Sequence, residues 1–216
     1  MTRFVDVVFQ AGIKDQMKKA LLHLKKDPVM RIIIERVGPY TMEFRDPTFS
    51  TLVRSIVYQQ LSGKVASVIL KRLIDALPQG ELTPENILRM RPERMRKLGL
   101  SRAKTEYIRD LARLTSKGKV AFQTLLELED DAVIEHLTRV KGIGVWTAHM
   151  FLMFALQRPN VMPVGDLGVR SAIRKAYGLE ALPTVKEIEQ LAESWHPYCS
   201  VATWYLWRSL EGSAQI

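Results

Sequence analysis

Two pieces of this chain carry residue types in an order that suggests chemistry. The first is Leu137-Thr-Arg-Val-Lys-Gly-Ile-Gly-Val-Trp-Thr-Ala148, where Gly142 and Gly144 flank an apolar residue between two helical patterns. Glycine tolerates left-handed dihedrals, and a tight turn that feeds a helix at once leaves backbone N–H groups bare. With the helix dipole behind them, such amides form a site for one phosphate. Backbone carbonyls of the same segment, those of Thr138, Val140 and Ile143, are expected to admit a monovalent cation, Na+ or K+. A dinucleotide-binding fingerprint would need a third glycine where Thr147 stands and a strand before it, so that reading is set aside. An ordinary turn between antiparallel helices stays open on the two glycines alone.

The second piece is Asp166, which follows Pro163 and Gly165 and immediately precedes a helical pattern of Leu167, Ile173 and Ala176. Aspartate is a favoured N-cap residue, and capping is one reading of it. The other is chemical: a carboxylate fixed at a helix start, where the dipole favours negative charge, suits a reaction that develops positive charge. The two roles are compatible.

The elements that must carry these residues read as helices. Ile13, Met17, Ala20, Leu21 and Leu24 recur at helical spacing and Pro28 follows, predicting a short first helix. Phe49, Leu52, Val53, Ile56 and Val57 mark another, and Val65, Ile69, Leu70, Leu73 and Leu77 a third after a cap at Ser62. Thr83-Pro84-Glu85 is a helix start with proline first, and Gly99 and Ser101 separate two further helices. Helical patterns also cover 103–114, 130–139, 145–157, 167–177, 185–195 and 199–210, with Thr184 and Glu187 spaced as a capping box. Only Val5 to Phe9 and Tyr40 to Phe44 could be extended pieces, and either could be loop. The expected fold is all-α, with no separate β domain. Two lobes, 1–45 with 160–216 and 46–159, are expected to flank a cleft.

Composition narrows the classes. With 216 residues, 47% of them hydrophobic, the chain can bury a core. Lys plus Arg number 32 against 23 Asp plus Glu, a net +9 that points to a polyanionic partner, nucleic acid first. Apolar runs such as Met150 to Leu156 are too short to span a bilayer and no signal-length apolar stretch opens the chain, so an intracellular location without membrane contact is expected. The single cysteine, Cys199, excludes an intrachain disulfide and a four-thiolate iron–sulfur site. His23, His136, His149 and His196 show no zinc-binding spacing.

Taken whole, the glycine string resembles the helix-hairpin-helix of the base-excision DNA glycosylases, and from about Phe49 to Leu210 the chain is similar to their alkylpurine branch, the 3-methyladenine DNA glycosylase II family. The resemblance is also carried by Phe49 to Ser62 with its Tyr58-Gln59-Gln60-Leu61 ending, by Leu98-Gly99-Leu100-Ser-Arg-Ala-Lys104-Thr-Glu-Tyr-Ile108, and by Val161-Met-Pro-Val-Gly-Asp166-Leu-Gly-Val-Arg170. It implies a helix-hairpin-helix glycosylase fold and hydrolysis of the N-glycosidic bond of alkylated purines in duplex DNA. Asp166 would be the catalytic carboxylate. Trp146, Trp207 and Tyr58 would line the base pocket with Met150 and Leu167, the last two departing from the pattern of some relatives. The hairpin residues Lys141, Gly142, Ile143, Gly144, Val145 and Thr147 would hold DNA together with Arg170. Gln60 or Leu61, beside Ser62, would be the wedge that fills the gap left by the flipped base. Lys64, Lys104 and Arg174 are further candidates for phosphate contacts. Bifunctional relatives carry a nucleophilic lysine where this chain has Trp146, so an abasic product without strand cleavage is expected. No cofactor is required and a monomer is expected. A non-catalytic DNA-binding module and a glycosylase for other damaged bases are the alternatives.

Overall fold

A computed structural model of the chain describes residues 15–211, and every regular element among them is helical. In chain order these are α1 over 15–24, α2 Pro28–Val37, α3 Phe49–Tyr58, α4 Gly63–Asp75, α5 Pro84–Arg89, α6 Pro92–Lys97, α7 Arg102–Ser116, α8 Phe122–Leu125, α9 Asp130–Thr138, α10 Val145–Phe154, α11 Leu167–Ala176, α12 Val185–Ala192 and α13 Cys199–Glu211. Short 3-10 turns lie at Pro78–Gly80 and Glu193–Trp195. No helix of the described residues is long and apolar enough to cross a membrane. The described residues form two compact units, one joining those up to Met42 to those from Arg158 onward, the other being Glu43–Gln157.

In the first unit α13 packs on α2 and α11. Its residues from Cys199 to Leu206 are buried without a break, as a helix enclosed by its neighbours requires. The buried polar Ser200 is satisfied locally: its hydroxyl donates to Arg158 O at 2.6 Å and accepts from Val161 N at 2.9 Å. Cys199 is fully buried, which pushes its thiol up to about 12. Tyr205 closes the core by donating its hydroxyl to Gly38 O at 2.9 Å, where a positive φ of 83° ends α2.

Asp27 organises the entry to this unit. Its Oδ1 accepts from Val29 N at 2.8 Å and Met30 N at 3.2 Å, capping α2, and its Oδ2 accepts from Tyr177 Oη and from Trp195 Nε1 at 3.0 Å. Burial works against the charge on Asp27, but these donors outweigh it and hold the carboxyl below the ordinary carboxylate range. Pro28, which the sequence suggests as a stop for the first helix, is also the first residue of α2. Its missing N–H costs nothing there, because the first amides of a helix have no internal partner.

In the second unit α3 buries Phe49, Leu52, Val53, Ile56 and Val57 along one face. It packs on α4 and α7; α7 also receives α5 and α6, and α9 packs on α10. Arg109 of α7 donates to Met90 O at 2.7 Å and Ile87 O at 3.2 Å, satisfying the end of α5. One expected boundary is corrected, one helix is added and one open choice is decided. α10 ends at Phe154 rather than at 157, with Arg45 N donating to Phe154 O and Gln157 turning the chain at a φ of 55°. Residues 122–125 form a helix too short to show a period. In the first unit, Tyr40 to Met42 belong to no strand; the Tyr40 ring instead lies 4.7 Å from that of Trp204. Val5 to Phe9 and Ile13 lie outside the described residues.

Candidate active site

Asp166 caps α11. Its backbone is extended at φ −72° and ψ 122°, and its Oδ1 accepts from Val169 N at 2.8 Å. The same oxygen accepts from Trp207 Nε1 at 2.8 Å, a bond that reaches across 41 positions of sequence. Two donors on one oxygen fix both the position and the plane of the carboxylate, which is 9% exposed. Gly168 makes the arrangement possible: a Cβ there would stand 3.0 Å from Asp166 Oδ1 and 3.1 Å from Trp207 Cδ1. Beside the aspartate, Leu167 is 64% exposed and Arg170 spends its Nε on Pro183 O at 3.1 Å. Trp207, expected as a pocket wall, is thus also the carboxylate's partner.

In the second unit the hairpin runs from the end of α9 to the start of α10. Val140 and Ile143 anchor it with buried side chains, and Ile143 N donates to Val140 O at 3.1 Å. Gly142 has a φ of 77°, and a Cβ on it would lie 2.1 Å from the Tyr107 ring, so both backbone and space demand glycine. Gly144 is the N-cap of α10, with no side-chain cap and no acid in the first turn. α11 and α12, by contrast, begin on Asp166 and Thr184, whose side chains satisfy an amide. Val145 and Trp146 flank this start at 52% and 48% exposure, while the Thr147 side chain is buried and turned to the core. Ile143 and Thr147 can therefore serve a ligand only through their backbone. Lys141 is exposed and pairs with Glu106 at 2.7 Å, whose hydrogen bond and charge raise its pKa.

The turn between α3 and α4 holds the wedge candidates. Gln60 adopts a φ of 55°, uncommon outside glycine, and Leu61 is exposed. Ser62 begins α4 as its N-cap. Tyr58 ends α3 with the Arg54 guanidinium 4.0 Å over its ring, so that face already holds a cation. Met150 is half-buried on α10. Lys64 and Arg174 are exposed. Lys104 is reassigned: its Nζ donates to Val57 O at 2.7 Å and Gln59 O at 2.6 Å, which makes it a cap on α3 rather than a phosphate ligand.

Four residues escape a reading of the sequence. Gly168 is visible only as a glycine inside a helix start, a disfavoured choice that asks for a reason. Tyr107 and Gln59 stand in the strings that carry the resemblance but without a role, and Asp110 gives no signal, because each acts on a residue far along the chain. Asp110 Oδ2 accepts from Lys141 N at 3.0 Å while its Oδ1 pairs with Arg113. Burial opposes the Asp110 charge, yet these donors and the nearby cations lower its pKa.

Residues 53–197 match the family model of the HhH-GPD superfamily base excision DNA repair proteins. A DNA-3-methyladenine glycosylase 1 of Schizosaccharomyces pombe is 34% identical over 212 residues, covering 95% of this chain and 92% of the relative. Among solved structures, the 3-methyladenine DNA glycosylase of that yeast in complex with abasic DNA superposes with a TM-score of 0.79 at 35% identity, over 88% of this chain and 95% of its own. A DNA-3-methyladenine glycosidase from Bacillus halodurans gives 0.77 at 38% identity, over 86% and 85%.

Proposed function

The chain belongs to the HhH-GPD superfamily of base excision DNA repair proteins, and we propose that within it the chain is a monofunctional DNA glycosylase for alkylated purines. The observation that carries this reading is Asp166, a buried carboxylate with one oxygen pinned by Val169 N and Trp207 Nε1. An alkylated purine bears positive charge, so its bond to C1′ can break with the electron pair leaving on the base, which departs neutral. The positive charge then sits on the sugar. A carboxylate that needs no reorganisation stabilises it, and water adds to C1′, losing its proton to the carboxylate and then to solvent. With an indole at Trp146 there is no amine to attack the sugar, so the product is an abasic site.

The grip on duplex DNA comes from the start of α10, whose uncapped amides suit a phosphate. Carbonyls of Thr138, Val140 and Ile143 would hold a Na+ or K+ ion beside it: Thr138 is the last residue of α9, where carbonyls lack helical partners, and the Val140 carbonyl, which accepts from Ile143 N, keeps a second lone pair. In the second unit Trp146, Tyr58 and Met150 are proposed as base-contacting residues and Gln60 or Leu61 as the wedge, whose exposure fits that use; in the first unit Trp207 and Leu167 are proposed for the base as well. The protein acts on DNA inside the cell as a monomer.

The test is to incubate it with duplexes that each carry one defined lesion and to compare strands with and without alkali. Cleavage of 3-methyladenine or 7-methylguanine duplexes only after alkali supports the reading. No abasic site with any lesion would leave a DNA-binding module, and cleavage without alkali would contradict the monofunctional assignment.

A further inference from the structure

We infer that α7 is a strut that locks the α3–α4 turn and the glycine hairpin into one rigid DNA-reading edge, with Lys104 as the positioning residue on the turn side. The inference rests on the reading above that both loops meet DNA. Three residues spaced by three along α7 act on these loops. Lys104 spends two of its three N–H donors on Val57 O and Gln59 O. Tyr107 lays its ring so close to Gly142 that no side chain fits between them. Asp110 accepts the backbone N–H of Lys141. Between them, Glu106 pairs with the Lys141 ammonium.

A direct bond closes the ring: Gln59 Nε2 donates to Gly142 O at 2.9 Å. The backbone of Gln59 is thus held from α7 while its side chain holds the hairpin. Gln60 and Leu61 follow at once, so the wedge candidates hang from a residue tied at both ends. Lys104 is also placed where a cation stabilises the end of α3, facing carbonyls that have no helical partner. Partial burial lowers its pKa, in keeping with an ammonium enclosed by carbonyls rather than one waving in solvent.

The physical consequence is a fixed distance between the point that holds a phosphate and the point that opens the stack. Flipping a base costs a few kcal/mol, and a wedge supplies that energy only if the hairpin fixes the duplex against it. Loosening of about 1 Å between reacting and positioning parts can cost on the order of 10²-fold in rate. Grip and flipping should therefore separate when the strut is cut.

The experiment uses Lys104→Met and Gln59→Leu, alone and combined, in the full chain. Three quantities are read: single-turnover excision of a methylated purine, affinity for an undamaged duplex, and 2-aminopurine fluorescence as a report of base extrusion. In each single variant excision and the extrusion signal should fall at least about tenfold, while undamaged-duplex affinity stays within about threefold. The double variant should lose less than the product of the two, because both cut the same ring. If Lys104→Met does not fold, Gln59→Leu carries the test, since only its side-chain amide is removed. Wild-type excision with normal extrusion in the folded variants would overturn the strut, as would equal loss of affinity and excision. Failure of the wild type to excise any lesion would instead overturn the proposed function.

Discussion

Trp207 Nε1 and Val169 N both donate to Asp166 Oδ1 at 2.8 Å, so the indole and the helix start share one acceptor. The expected role of each donor can be separated by substitution. Asp166→Asn removes the charge and should lower single-turnover excision by about 10² to 10³, with undamaged-duplex affinity unchanged. Near-normal excision would remove Asp166 from the mechanism.

Trp207→Phe keeps a ring and removes the N–H. A hydrogen bond to a charged group contributes roughly 1.5–3 kcal/mol, so the excision rate should drop by about tenfold or more if the bond sets the carboxylate's plane. Equal rates, with the same lesion and saturating enzyme, would show that the helix start alone positions it.

Gly168→Ala places a methyl group 3.0 Å from Asp166 Oδ1 and 3.1 Å from Trp207 Cδ1. The gain of about 1 kcal/mol that alanine has over glycine in a helix interior is offset here by these two close contacts, so Tm should stay within a few degrees while excision falls. Loss of stability together with activity, read by thermal unfolding, would instead mark a packing failure.

Gly142→Ala meets the Tyr107 ring at 2.1 Å and puts a side chain at a φ of 77°. Duplex affinity should fall sharply. Adding Tyr107→Gly should recover part of it by removing the clash, leaving a residual cost of about 1–2 kcal/mol for the left-handed dihedral. No recovery in a titration against undamaged duplex would show that Tyr107 is not the obstacle.

Asp27 supplies a pH signature. Its folded pKa is below the ordinary 3.8, so its stabilisation is present above that value and is lost as pH falls through the lowered folded value. Asp27→Asn should cost about 1–3 kcal/mol at neutral pH and flatten the loss of stability below about pH 4. Urea midpoints from pH 3 to 7 would show it; parallel curves for the two proteins would refute the assignment.

Helical periods and caps were readable because they are local. Ser62, Thr83, Ser101, Asp166 and Thr184 cap helices through residues three positions on, so a short window contains both partners. Pro28 shows where local reading divides, since proline both follows one helix and opens the next. Asp166 and the glycine hairpin were readable as candidates through motif order. What packs on them was hidden. Trp207 lies 41 residues from Asp166, Tyr107 thirty-five from Gly142, and Lys104 about as far beyond its carbonyls, where its charge reads as an ordinary basic surface residue.

The unit that contains Asp166 is built from the two ends of the described chain, α2 packing on α13 across the whole intervening segment. During synthesis the hairpin unit leaves the ribosome entire, while its companion waits for the last helix. A product that ended before α13 would contain the hairpin and Asp166 but would lack Trp207, one of the two donors that hold the carboxylate in place.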